Sequence, residues 1–570
     1  MNIYNQPIEL IIEQKVFSGK SKQEGGGVAK RLEAAGIEVD DVLKNAARLP
    51  VQLGKPLGKN MGGATTYVRT KVLDAVMNPW DMAHLSAKAL GSSLKFVEPD
   101  MLTSFVADSN MDVPFKKGMQ KGKKADGDSF DPDWQPKRNA VWHLGNDFSQ
   151  LKAAREAVAN LPHTIRIAHL DTGYNKTHKL LPDTAKTNVL QRSFIAGETD
   201  NDAHDRYVNG LGRMPGHGTG TLALLAGKSV KLATDDGEFN DFLGGAPFAE
   251  VVCLRISPTV ILLKTSAFAE ALNYATALTQ GGTPIHVLSM SMGGAPSRAW
   301  TAAVNRAYEA GITMVTAAGN NYNGAPTRHV IYPARYDRVI AACGVTHDLR
   351  PYFSSKLGEM AGCFGPERHM NAALAAFTPN TPWAYGNAGG VDFAGAGTSS
   401  ATPQIAAAAA IYYRKNFEVL NALEPWKRVE AIRYALFKSA SKKGKPMGTY
   451  RNDFGNGILQ AFDALKVGVN SNRAKTPPDE TPWFPILNTL FKTRPGVAQA
   501  PKMEMFNTEL AQLVFYHPEL RALINNDERP YERVSQKKWR AFSAAVVEHH
   551  ASSNTLKNYL IANWHAGKPK

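Results

Sequence analysis

Apolar positions along the chain fall into two patterns, short unbroken runs and stripes at helical spacing. The runs around Ile165, Ile167 and Leu170, around Val251, Val252, Cys253 and Leu254, and around Ile312, Met314 and Val315 are short and bounded by small or turn-forming residues, which predicts buried strands. A strand covered on both faces is expected to be apolar throughout. Arg166 and His169 break that rule, and nothing in the sequence accounts for them. The helical signals lie elsewhere. Residues 222–227 read as a short apolar helix, and residues 404–413 carry an alanine run of high helix propensity. Residues 80–90 read as an amphipathic helix closed by Gly91, followed by a strand over 94–98 that ends at Pro99-Asp100. Near the C-terminus Leu510, Leu513 and Val514, then Trp539, Phe542, Val546 and Val547, repeat at three and four. They predict a small helical region, expected to pack on the domain before it; a partner-binding module is the alternative.

Between these segments the composition shifts. Residues 116–133 alternate lysine and glycine before a run of aspartates, and residues 475–482 are proline-rich; both read as linkers. Gly25-Gly26-Gly27 reads as a flexible joint ahead of one or two short helices over 28–47. With 570 residues, 43% of them hydrophobic and 21% charged, the chain has a soluble globular composition and length for several domains. A net charge of +15 raises nucleic acid or an anionic membrane as partners, but the basic residues are dispersed and neither is expected. No apolar run approaches the ~20 residues of a spanning helix, and the first residues lack the pattern of a secretory signal. Cys253, Cys343 and Cys363 are odd in number, without disulfide or metal-ligand spacing. Together these features predict the cytoplasm. His549, His550 and His565 have no regular ligand spacing and read as surface residues.

Four segments carry candidate chemistry. Asp171 ends the 165–170 strand, where open α/β sheets place reactive groups, before a Thr172-Gly173 turn. His217 lies between Gly216 and Gly218 at a loop-to-helix junction, where absent side chains let another backbone come close. Ser399 follows Gly397-Thr398 at the start of the alanine-rich helix, where unpaired N–H groups favour developing negative charge. Pro403 is expected in that helix's first turn. Asn320 follows Gly319 at the end of a strand. Taken singly, each has a plain structural reading: a turn aspartate, a packed histidine, a helix cap for Ser399 or Ser400, a strand-end asparagine. Taken together they supply a nucleophile, a base, a group that orients the base, and two donors for an oxyanion, namely the Asn320 amide and the Ser399 N–H.

The motifs Asp171-Thr172-Gly173, His217-Gly218-Thr219 and Gly397-Thr398-Ser399, in that order, resemble those of the subtilisin-like serine proteases. The resemblance spans residues 142 to 464 and implies an α/β fold of three layers around a mainly parallel central sheet. It implies an endopeptidase with Ser399, His217 and Asp171 as catalytic residues, and Asn320 with Ser399 at the oxyanion. It also implies a first substrate pocket lined by Ser291, Met292 and Gly293 on one side and Ala317, Ala318 and Gly319 on the other. Ser400 and Gln404 depart from the family, which often has methionine and histidine there. Polypeptides are the implied substrates; a catalytically silent, protein-binding scaffold on the same groove is the alternative. No cofactor is required. Members often hold structural calcium, for which the acidic loop of Asp200, Asp202 and Asp205 is the candidate, although its spacing fits no dedicated calcium loop. The helix and strand before Asp100 resemble the tail of the inhibitory propeptide, implying that this chain's own N-terminal region is its intramolecular inhibitor. The expected organisation is an N-terminal extension at 1–62, a small α+β propeptide-like module at 63–105, a linker at 106–140, the catalytic domain at 141–470, a proline-rich linker at 471–506 and a small helical C-terminal region at 507–570.

Overall fold

The computed structural model describes residues 8–15, 24–37, 65–72, 77–91, 94–104, 140–208, 214–322, 327–352, 360–386, 389–480, 484, 501–524 and 534–566. The chain divides into two compact units, one of Met1–Leu102, Ala295–Thr301 and Glu480–Lys570, the other of Thr103–Gly294 and Ala302–Asp479. The expected linker at 106–140 lies, save for its last residue, outside the described residues.

In the first unit a three-stranded antiparallel sheet has Ile8–Lys15 at its centre, between Thr65–Val72 and Leu94–Pro99. Ile8, Leu10 and Ile12 alternate along the central strand and bury one face, with Val97 paired to Ile12, against the helices Glu24–Ala34 and Pro79–Leu90. The sequence assigned residues 1–62 to an extension separate from the α+β module. The structure instead makes Ile8–Lys15 the module's central strand, because its apolar face completes a core that two strands and a helix cannot close. Gly25, Gly26 and Gly27, read as a joint, lie in the first turn of the Glu24–Ala34 helix. The Pro79–Leu90 helix follows its sequence signals: Asn78 accepts from the Trp80 N–H at 2.9 Å, Pro79 opens the helix, and Gly91 closes it at φ 61°. Glu98, on the Leu94–Pro99 strand, accepts from the Arg298 and Ala299 N–H groups at 3.1 and 2.7 Å and from Ser297 Oγ at 3.0 Å. Burial, against those donors, pushes its carboxyl up to about 7.

The remaining part of this unit is helical: Pro501–Tyr516, Pro518–Ile524, Gln536–Glu548 and Asn554–Ala566. Phe506, Leu510, Leu513, Val514, Phe542 and Val546 share one buried cluster, so the three-and-four spacing marks the packed face. Helix begins at Pro501, ahead of the expected boundary at 507. These helices were expected on the catalytic domain; they belong to the same compact unit as the N-terminal strands. The physical reason is a second, polar and aromatic face on the Pro79–Leu90 helix, described below.

The second unit is built on a seven-stranded sheet whose neighbouring strands are all parallel. Its order is Ala373–Phe377, Ile340–Val345, Thr313–Ala317, Val287–Met290, Arg166–Asp171, Glu250–Arg255 and Arg192–Ser193. After Arg166–Asp171 the chain adds strands on one side, then crosses to the other, so this strand sits at the point where the winding reverses. Two helices rich in glycine or alanine pack on the sheet. His217–Ala226 and Thr398–Lys415 are buried along almost their whole length, and the alanines at 406–410 let the second run through the core against several strands. The result is the expected three-layer α/β arrangement. Arg166 is explained by its partner on the next strand, Glu250, at 2.8 Å. The start of the proline-rich segment is fastened to this unit: Asp479 accepts from the Asp337 and Arg338 N–H groups at 2.7 and 3.1 Å. Among the described residues no helix is long and apolar enough to cross a membrane.

Candidate active site

Asp171 stands at the carboxyl end of its strand, fully buried, and its Oδ1 lies 2.7 Å from His217 Nδ1. The two meet because glycines let the backbones close: a Cβ on Gly218 would strike the Gly173 carbonyl, and one on Gly220 would strike the Trp383 ring. Thr172 ties the same turns together, accepting from the Gly218 N–H at 3.2 Å and donating to Asp205 Oδ2 at 2.8 Å. The His217 ring is edge-on to Trp383, with centroids 5.3 Å apart, and its Nε2 is buried with no hydrogen-bond partner among the described residues. Burial alone would raise the Asp171 carboxyl. The charge and hydrogen bond of His217, with smaller contributions from His169 and the Thr172 N–H, hold it below the usual carboxylate range.

Ser399 is the second residue of the Thr398–Lys415 helix, with Gly397 before it at φ 81°. Its Oγ donates to the Ser291 carbonyl at 3.2 Å, and the structure contains no Ser399–His217 hydrogen bond. Ser291 Oγ in turn donates to the Ser399 carbonyl at 3.1 Å. That carbonyl is available because Pro403, four residues on, has no N–H to offer. Pro403 was expected in the first turn; the helix starts earlier, at Thr398, so the proline is interior, and Ser291 takes up the bond it omits. Ser400, one of the two candidate caps, accepts instead from Thr381 Oγ1 at 2.9 Å and Trp383 Nε1 at 3.0 Å. Trp383 therefore touches His217 and is anchored to the residue after Ser399. Gln404 donates to the Phe377 and Ser400 carbonyls at 2.7 and 2.8 Å.

Asn320 Oδ1 accepts from the Thr398 N–H at 2.9 Å and from Thr398 Oγ1 at 3.3 Å. With the carbonyl oxygen so committed, the amide Nδ2 is the free end, and a Cβ on Gly397 would come within 2.9 Å of it. Thr398 Oγ1 also bridges to Gly319, accepting from its N–H at 3.2 Å. Both expected pocket walls thus adjoin the Thr398-Ser399 turn, Ser291 directly and Gly319 through Thr398. Met292, Gly293, Ala317 and Ala318 are buried beside them, and Gly293 and Gly319 both back onto Ile331.

The sequence missed a polar chain beneath the aspartate. His169 Nε2 lies 2.9 Å from Thr221 Oγ1, which donates to Asp171 Oδ2 at 3.1 Å. It also missed Arg255, wholly buried, which donates to the Thr172 carbonyl and pairs with Glu198 at 2.8 Å. Burial pushes His169 down to about 4, and likewise His286 to about 4 and, with the Arg155 charge, His143 to about 3. An unfolded histidine titrates near 6.5, so between pH 6.5 and about 4 the unfolded chain binds protons that the folded chain refuses. Their contribution is complete above 6.5 and lost as pH falls through that window. Thermal unfolding of Ser399→Ala protein, which removes any self-digestion, is expected to show the second unit melting at a lower temperature at pH 4.5 than at pH 7. An equal or higher Tm at pH 4.5 contradicts this.

The acidic loop does not fit calcium. Asp202 is held by Lys176 at 2.6 Å and Arg206 at 2.9 Å, and Asp205 accepts from Thr172, Tyr207 N–H and Gly216 N–H. Among the described residues, the group whose ligand atoms converge, within 4.8 Å, is His517, Glu519 and His549 in the first unit. His549 Nδ1 accepts from the Ala551 N–H at 3.2 Å, which puts the ring proton on Nε2, 3.1 Å from Glu519. A metal at Nε2 requires that proton to move and the Ala551 bond to break, so the set is a hydrogen-bonded cluster. His549 is half-buried, its ring 4.2 Å from that of His517 between centroids, while His550 is exposed as expected.

The fold and this arrangement define a class. A model of the subtilase family matches residues 163–457, more than half of the chain, and the chain belongs to that family of serine proteases. Among individual proteins it is similar to Subtilisin Savinase of Lederbergia lenta, at 27% identity over 304 residues, 53% of this chain and 91% of that protein. It is equally similar to an alkaline protease of Shouchella clausii, at 27% over 304 residues, there covering 64% of the relative. Subtilisin E of Bacillus subtilis (strain 168) matches at 29% over 278 residues, 48% of this chain and 62% of the relative.

Proposed function

We propose that the chain is a serine endopeptidase in which Ser399 is the nucleophile, His217 the base and Asp171 the group that orients it. The observation that carries this reading is the short Asp171–His217 bond: it commits Nδ1 to the carboxylate and leaves Nε2 as the basic nitrogen. Ser399 Oγ reaches that nitrogen by rotating off the Ser291 carbonyl, a contact of the kind that forms fully only with substrate in place. Attack on a peptide carbonyl then gives a tetrahedral intermediate whose oxyanion takes bonds from Asn320 Nδ2 and the Ser399 N–H. His217 returns the proton to the departing amine, and water releases the acyl group from Ser399 by the same steps. Ser291, Met292 and Gly293 with Ala317, Ala318 and Gly319 line the first pocket in this reading; none of them is acidic, so selection for basic side chains is not built in there.

Asn320→Ala is expected to lower kcat by about 10²–10³ with KM little changed, because the bond forms only as charge develops. A loss of less than about threefold removes Asn320 from the role. A silent scaffold is the competing reading, favoured by the Ser399 hydroxyl facing Ser291 and not His217. The two separate on casein hydrolysis by chain whose N-terminal part has been cut off at an engineered site in 106–139 and stripped away in mild denaturant. Turnover that Ser399→Ala lacks supports the protease; no turnover in either leaves the scaffold.

The N-terminal module is proposed as an intramolecular inhibitor, supported by its small α+β build and its Glu98-Pro99-Asp100 ending. A cytoplasmic site of action is likewise proposed, supported by three buried thiols, Cys253, Cys343 and Cys363.

A further inference from the structure

The Pro79–Leu90 helix uses two faces. Met82, Ala83 and Leu90 lie in the core of the N-terminal strands, while Asn78, Trp80, Asp81 and His84, spaced at three and four, form a second stripe. Beyond its own helix, its side-chain hydrogen bonds and ion pair reach the C-terminal region, while Trp80 also packs in the core of the N-terminal strands. Trp80 Nε1 donates to Gln512 Oε1 at 3.0 Å with both residues buried, and Asn78 Nδ2 donates to the Ala551 carbonyl at 2.8 Å. His84 lies 4.7 Å from Phe506, ring to ring, and 3.5 Å from the buried carboxylate of Glu509. Asp81 caps a helix that is not its own: it accepts from the Asn554 and Thr555 N–H groups at 2.8 Å each and from Thr555 Oγ1 at 2.7 Å, at the positive end of Asn554–Ala566. Met505 sits in the same buried cluster as Leu10, Trp80 and Phe96. The contact therefore combines shared apolar core, a helix cap and directional bonds, the mixture that fixes one docking geometry.

We infer that the C-terminal helices are the receptor for the N-terminal module, so that a cut in the segment joining that module to the second unit does not release it. The module stays on the chain through residues 501–566, which remain joined by backbone to the second unit. If the module is the inhibitor proposed above, a point on which this step rests, the cut leaves a tethered inhibitor that rebinds at the high effective concentration of an intramolecular partner. Release then depends on separating the two terminal regions and not on proteolysis alone.

The test uses full-length Ser399→Ala protein with engineered cleavage sites in 106–139 and in 485–500 and an affinity tag at the C-terminus. After both cuts, and a high-salt wash that removes the middle fragment with its Glu98 contacts at 297–299 and its Phe484, capture through the tag is expected to retain the N-terminal fragment. An N-terminal fragment that is lost, or that is held only while the middle fragment is present, overturns the inference. Asp81→Ala with Gln512→Ala is expected to weaken capture about tenfold, with circular dichroism of the uncut protein unchanged; capture at the original strength overturns the assigned interface. Because the serine is absent throughout, failure of the protease reading leaves this result untouched, and the reverse.

Discussion

Ser399→Ala is expected to lower kcat for peptide hydrolysis by about 10⁶, His217→Ala to lower it by as much, and the double variant to be no worse than either. The expectation follows from the division of labour. Without Ser399 there is no covalent intermediate, and without His217 nothing takes the hydroxyl proton, so each loss disables the same step and the effects do not add. The residual rate comes from the oxyanion donors and substrate binding, which neither substitution touches. Asn320 is fixed by Thr398, whose backbone and hydroxyl bonds persist in both variants. Steady-state kinetics on a chromogenic peptide checks the prediction; losses that multiply in the double variant would show two independent contributions and contradict it.

Asp171→Asn is expected to cost about 10⁴ in kcat. An asparagine amide facing Nδ1 donates where the carboxylate accepted, which drives the ring proton onto Nε2 and removes the base. In this chain the aspartate also receives the Thr172 N–H at 2.7 Å and Thr221 Oγ1 at 3.1 Å, so its orientation is held from three sides. Thr221→Val removes one of those holds and the His169 link with it, while Nδ1 keeps its acceptor. A loss of only a few-fold is expected there, measured on the same peptide; a loss as large as that of Asp171→Asn would move the essential contact from His217 to the buried chain below it.

The residues of the proposed site stood out in the sequence because each lies where the backbone makes demands that the sequence displays. Asp171 ends an apolar run, His217 and Ser399 open helices, and the glycines beside them are required by close approach to Gly173, Trp383 and Asn320. The His169–Thr221 link was also legible in principle. A residue two before Asp171 on a strand shares its face, and a residue four after His217 on a helix shares that ring's side. Two polar residues in otherwise apolar elements at those offsets have to meet near the pair. Trp383, Arg255 and the Ser291 carbonyl carried no such signal, since their contacts join segments far apart in sequence. The same holds for the strand Ile8–Lys15, whose partners lie beyond residue 64. The stripe on the Pro79–Leu90 helix was hidden differently: Trp80 and His84 read as one amphipathic pattern, although the helix buries two faces against two different sets of residues.

The most direct test of the central claim is covalent labelling. Wild-type chain, stripped of its cut N-terminal part, is treated with a fluorophosphonate and digested, and the adduct is located by mass spectrometry. A single adduct on the peptide containing Ser399, absent from Ser399→Ala and from His217→Ala, is the predicted result. No adduct, or one placed on Ser400 or another residue, contradicts the account.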